Sequence, residues 1–118
     1  MKHSFLHLGI WKKGRFLVKK IYQVTKTFPK EELFGLTSQM RRAVVSIPSN
    51  IAEGCGRDTN KQLSYFIEIS IGSSCELETQ VYLAFDLKYI SELKMYELVK
   101  AITEQRKMMV SFRKTLRD

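Results

Sequence analysis

The stretch GLTSQMRRAVVSIPSNIAEGCGR, Gly35 to Arg57, decides how this chain is read. It is apolar enough to be a core helix, yet it carries adjacent arginines, Arg41 and Arg42, and a proline, Pro48, inside its apolar run. Ser46, Asn50 and Glu53 are spaced to share one helical face, a polar row suited to a satisfied buried network or to a binding pocket. Thr37 is placed to cap the helix once Gly35 has turned the chain. Gly54 and Gly56 form a stop suited to the left-handed conformation at a helix end. Pro48 removes a backbone donor and crowds the preceding turn, which predicts a kink or a brief break.

Outward from this stretch the pattern stays helical. Prolines are only two and glycines six, with no Asn-Gly or Asp-Gly hairpin signal. A first helix, about residues 9–28, has Trp11, Val18, Ile21 and Phe28 as its seam, with Leu17 and Val24 beside it. The second covers about 37–56. The third, about 59–88, is capped by Thr59 or Asp58 and runs along Leu63, Phe66, Ser70, Leu77, Ala84 and Leu87. Its small residues Gly72-Ser73-Ser74-Cys75 let a neighbour approach closely. The fourth, about 91–116, is capped by Ser91, with Met95, Leu98, Ile102, Met109, Phe112 and Leu116 facing inward. Short connections make successive helices antiparallel, so the expected fold is all-α: one domain, residues 1–118, an up-down-up-down four-helix bundle.

Composition narrows the function. Of 118 residues 44% are hydrophobic and 27% charged, which is ordinary for one globular domain. No apolar run approaches the roughly 20 residues that cross a bilayer, and the N-terminus lacks a signal-peptide core, so a cytoplasmic protein without membrane partners is expected. Cys55 and Cys75 are then expected to be free, buried thiols. His3 and His7, at i, i+4, could share a metal only if helical, and a loose terminus is the plainer reading. No Cys-x-x-Cys, phosphate-cradling glycine loop or nucleophile elbow is present, and Glu76 and Glu78 have no acid–base partner. The expectation is a protein without cofactor and without catalysis.

Charge is where the sequence speaks. The net +8 is unevenly spread: residues 1–30 carry +8 with no acid, residues 31–90 carry −3, and residues 91–118 carry +3. Lys12-Lys13 and Lys19-Lys20 recur seven residues apart with Lys26 continuing the row, and Arg106-Lys107 and Arg113-Lys114 repeat the interval behind Lys100. Seven residues are two helical turns, about 10.5 Å. In an up-down bundle the first and last helices are neighbours, so the stripes are expected to merge into one basic face. Lysines often merely solvate a surface, but a single-sign face suits a polyanion, and nucleic acid held by its phosphates is the leading partner. Phe16, on the outer side of the first helix, is open to a base stack or a subunit contact. Arg41, Arg42, Glu76 and Glu78 are assigned to an oligomer interface, with internal salt bridges as the plain alternative.

These residues together resemble the four-helix bundle proteins encoded within intervening sequences of bacterial 23S rRNA genes, the S23-like family, which also includes the accessory variability protein of diversity-generating retroelements. The resemblance runs from about Trp11 to Ile90 and rests on Trp11, Tyr22, Phe28-Pro29, Glu32, Gly35-Leu36, Gln39, Arg41-Arg42-Ala43 and Ser46-Ile47-Pro48-Ser49-Asn50-Ile51-Ala52-Glu53-Gly54. Arg57, Gly72-Ser73, Glu76-Leu77-Glu78 and Tyr89-Ile90 extend it. Cys55 departs from the bulkier residue usual there. The resemblance implies a homopentameric barrel of bundles with a basic exterior, binding to structured RNA or to RNA–DNA intermediates, and for retroelement members an association with a reverse transcriptase. It implies no catalytic residues.

Overall fold

The computed structural model describes residues 4–117. Four helices carry the chain: α1 (Gly9–Thr25), α2 (Leu36–Cys55), α3 (Asn60–Asp86) and α4 (Glu92–Lys114), with single 3₁₀ turns at Phe5–His7 and Lys30–Glu32 and no strand among the described residues. Side-chain contacts fix their directions. Gly14 lies against Pro48 and Thr25 against Arg41, so α1 and α2 are antiparallel. Gly54 meets Leu63 while Ser46 meets Ser73, which reverses α3 against α2. Arg106 reaches Ser74 and Arg113 reaches Ser64, reversing α4. Lys13 meets Glu104 where α4 closes on α1. The result is an up-down-up-down bundle of 46 × 24 × 20 Å.

The core follows the expected stripes with one shift of phase. On α1 the buried residues are Ile10, Gly14, Leu17, Ile21 and Thr25, with Phe28 beyond the helix also buried. Trp11 and Val18 stand at the shoulder instead of in the seam, Val24 lies beside it as expected, and Leu17 moves into it. Gly14 and Thr25 hide this stripe from a hydrophobic reading. Thr25 is buried because its Oγ1 donates to the Ile21 carbonyl at 2.8 Å. Gly14 is buried because a side chain there would press on the Pro48 ring at 3.3 Å. On α3 the buried row is Leu63, Ile67, Ser70, Ser74, Leu77, Gln80, Val81 and Ala84, and Leu87 is exposed. On α4 the expected seam holds at Met95, Leu98, Ile102 and Met109, joined by Gln105, whose Nε2 donates to the Ile10 carbonyl.

Pro48 does not break its helix. α2 is continuous from Leu36 to Cys55 because the ring is packed against Gly14 and side chains tie the flanking turns. Asn50 Nδ2 donates to the Ser46 carbonyl at 2.8 Å, and Ser70 Oγ donates to the Ile47 carbonyl at 2.8 Å.

The helix ends differ from the sequence reading at two places. Thr37 is buried in the first turn and is not the cap of α2. That end is held by Glu32, whose Oε1 accepts from the Leu36 N–H at 3.0 Å while its Oε2 accepts from the Tyr89 hydroxyl at 2.7 Å. Gly35 leaves room for this arrangement, since a Cβ there would lie 2.6 Å from the Glu32 carboxylate and push it off its partners. The two hydrogen bonds hold the Glu32 carboxyl below the usual range, and the same carboxylate pushes the Tyr89 phenol up. Phe28 packs on Tyr89 with ring centroids 5.3 Å apart, so the α1–α2 and α3–α4 connections are locked together.

Gly54 and Gly56 are the second departure. Neither takes the left-handed conformation. Gly54 sits inside α2 because a Cβ there would come within 2.9 Å of Phe66 and closer still to Leu63. The left-handed helix end belongs to Lys88, at φ 65°, in a Schellman arrangement after α3. Its N–H donates to the Phe85 carbonyl and the Tyr89 N–H to the Ala84 carbonyl, both at 2.9 Å. Thr59 caps α3 in a reciprocal box with Gln62, and Ser91 accepts from the Lys94 N–H at the start of α4, as read from the sequence.

Candidate nucleic-acid interface

Each basic pair on α1 and α4 is divided by the fold. Lys12 and Lys19 are exposed on α1 with Lys26 exposed just past its end, and Lys100, Lys107 and Lys114 are exposed on α4; none of the six has an ion-pair partner among the described residues. The other member of each pair is half-buried. Lys13 bonds Glu104 across the α1–α4 boundary at 3.2 Å. Lys20 lies over the Phe16 ring, 5.4 Å from its centroid, and lines a groove of about 440 Å³ with Lys94, Glu97 and Leu98.

Arg106 and Arg113 turn toward α3. Arg106 donates from Nε to Ser74 Oγ at 2.9 Å and from Nη2 to Glu78. Arg113 repeats the device one level along, with Nε on Ser64 Oγ at 3.1 Å and Nη2 on Glu68 at 2.7 Å. These two arginines, expected among the phosphate contacts, are the cross-braces of the α3–α4 seam.

The expected single basic face is therefore two lysine rows with a mixed strip between them. Glu104 neutralises Lys13, and Glu97 pairs with Lys94 at 3.0 Å. Each outward row keeps its seven-residue interval.

The residues assigned to assembly separate in the same way. Arg41 is half-buried and bonded within the chain: its Nε donates to Thr25 Oγ1 at 2.9 Å and its guanidinium lies 4.5 Å from the Tyr22 ring centroid. Glu78 is held by Arg106. Arg42 and Glu76 are exposed. Of the polar row on α2, Ser46 does face the small residues of α3, bonding Ser73 Oγ, and Asn50 is half-buried on its own helix. Glu53 is not part of a buried network; it lies at the surface and pairs with Arg57 one turn on.

The small-residue run of α3 is used on two sides, Ser73 toward α2 and Ser74 toward α4. Gly72 faces open space and Cys75 is exposed, so only Cys55 is a buried thiol, with burial pushing its pKa up. His7 is exposed and His3 lies outside the described residues.

Two surface features escaped the sequence reading. Phe34 is 93% exposed, and with Leu33, Val45 and Tyr22 it forms an apolar patch around Arg42 at one end of the bundle. A Leu-Phe pair in the turn before Gly35 was the available signal. Arg15 is also exposed on α1, its guanidinium 5.0 Å from the Trp11 ring centroid.

No helix among the described residues is long and apolar enough to cross a membrane. No curated protein sequence matches the chain. A crystal structure of a protein of unknown function from the S23 ribosomal protein family of Bacteroides thetaiotaomicron has the same fold, with a TM-score of 0.82 at 22% identity over 89% of this chain and 95% of that one. The family model for the 23S rRNA-intervening sequence protein matches residues 7–111. With that match over most of its length, and with the bundle described above, the chain belongs to the 23S rRNA-intervening sequence protein family.

Proposed function

We propose that this chain is a non-enzymatic, cytoplasmic, oligomeric RNA-binding protein that grips phosphate backbone with two lysine rows, Lys12, Lys19 and Lys26 along α1 and its end and Lys100, Lys107 and Lys114 on α4. One observation carries the reading: at each of the four dibasic steps one cation is exposed without an ion-pair partner, while of the other members Lys13, Arg106 and Arg113 are paired with acids and Lys20 lies half-buried over Phe16. A fold needing cations only for its own bracing has no use for the second set. Lysine is a point charge on a flexible stem, suited to phosphate oxygens and not to base edges, so binding is sequence-tolerant and steeply salt-dependent. The choice of RNA over DNA rests on family membership. Anisotropy with a structured RNA and a duplex DNA, at low and near-physiological salt, tests it. Strong binding that weakens sharply with salt supports the reading, and negligible binding to both at low salt refutes it.

A second reading has its own observation, the exposed Leu33, Phe34 and Val45 patch. Contiguous apolar surface of this kind marks a protein contact. It supports self-assembly with Arg42 at its edge, the pentamer implied by the resemblance being the expected ring, and it also suits a polymerase partner such as a reverse transcriptase. An RNA-binding oligomer accommodates both.

A further inference from the structure

We propose that the α2–α3 turn holds a stacking site for one unpaired nucleobase of the bound RNA, with Tyr65 as its platform. The inference rests on the phosphate-binding reading above and adds a place where the bound strand is held by something other than charge. Tyr65 is 60% exposed on the second turn of α3. Among the described residues its one ring neighbour is Phe66, at 5.4 Å between centroids and 79° between planes, and at 60% exposure the tyrosine ring keeps surface free for a stacking partner. The Arg57 guanidinium lies 4.8 Å from the Phe66 centroid, and Glu53 bonds its Nη2 at 2.9 Å, fixing that plane beside the ring. Together with Lys61 and Gln62 these residues line a cleft of about 460 Å³ whose lining has two cations and no carboxylate.

An aromatic face flanked by cations suits a flat, π-faced group attached to a phosphate, which is an unpaired nucleotide. The cleft has little means of choosing among bases. Gln62, the one amide in its lining, has its oxygen engaged by the Asp58 and Thr59 N–H groups, each at 3.2 Å, so it offers a base edge donors and no acceptor. Stacking with little discrimination among bases is therefore expected. The site also lies where the lysine rows can deliver a strand. Asn60 Nδ2 donates to the Arg117 carbonyl at 2.7 Å, which brings the C-terminal end of α4, with Lys114, beside the start of α3. A paired helix held on the α4 row meets this cleft at its end, and a bulged or terminal base can turn into it.

The test uses two hairpin RNAs of identical stem, one fully paired and one carrying a single 2-aminopurine bulge, read by anisotropy and by 2-aminopurine fluorescence. The full-length protein is expected to prefer the bulged hairpin roughly tenfold and to quench its fluorescence. Tyr65→Ala should equalise the two hairpins while leaving the paired one's affinity and salt dependence unchanged, and Tyr65→Phe should keep the preference. No preference in the unmodified protein, or a preference that survives in Tyr65→Ala, overturns the stacking site and leaves phosphate binding standing. A fall in sedimentation mass for Tyr65→Ala would make the cleft a subunit contact and also overturn it. Failure of both hairpins to bind the unmodified protein refutes the phosphate reading and this inference with it.

Discussion

Lys88 occupies a backbone position better suited to glycine. A side chain in the left-handed region crowds its own carbonyl, at a cost of roughly 1–2 kcal/mol, and Lys88 is the one described non-glycine residue there. Lys88→Gly is expected to stabilise the fold by about 1 kcal/mol, the relief of strain being partly offset by glycine's greater freedom when unfolded. A lower urea midpoint at equal protein concentration would contradict this. Glu32 gives a second expectation, from pH. Its carboxyl is held low in the fold, so its contribution is complete above its unfolded value near 4.5 and is lost as pH falls through the lowered folded value. Glu32→Gln should remove part of the stability loss between about pH 5 and 3 in thermal unfolding; an unchanged acid slope would locate that loss elsewhere. Tyr89 has the opposite sign, contributing below its usual value of 10 and less as pH rises through the raised folded one. Thr37 looked like a cap because local rules favour threonine there. The actual anchor is a carboxylate from the preceding turn, bonded to a tyrosine 57 residues on, and no local rule sees that pairing.

At the scale of helices, periodicity was enough for four elements, their order and the caps at Thr59 and Ser91, because buried stripes and caps are local signals. It could not say which member of each dibasic pair would turn inward. Both positions flank the seam, and for three of the four pairs the choice belongs to the acids on the facing helix, Glu68 and Glu78 on α3 and Glu104 on α4 for Lys13 of α1, while Lys20 rests on the Phe16 ring of its own helix. The braces differ in weight. Arg106 and Glu78 are each 24% exposed as side chains, so Arg106→Ala leaves a half-buried carboxylate and Ser74 without their donor. A loss of about 1–3 kcal/mol is expected in denaturant unfolding. Lys13→Ala, which removes an exposed pair, should cost no more than about 1 kcal/mol. Equal losses would mean that the α3–α4 braces are not special. The phase of α1 was misread for a related reason: Gly14 and Thr25 are buried by what they meet, Pro48 and a backbone carbonyl, and not by their own hydrophobicity.

The whole molecule combines two surfaces whose separation the sequence could not display. The lysine rows lie along α1 and α4, while the patch around Phe34 lies at the α1–α2 turn. Phe34→Asp should lower the sedimentation mass with helicity retained, because the residue is 93% exposed and its change does not touch the core. An unchanged mass would remove this patch from assembly. The central claim is that the exposed, unpaired lysines, and not their half-buried neighbours, meet phosphate. It is tested most directly by the salt dependence of RNA affinity in two variants: Lys12, Lys19 and Lys26→Gln, and Lys13 and Lys20→Gln. If each outward lysine neutralises a phosphate, the triple variant should flatten the log–log slope by roughly 2–3, whereas the double variant should change it by less than about one. Equal flattening per residue in the two variants, or none in the triple, would contradict the account.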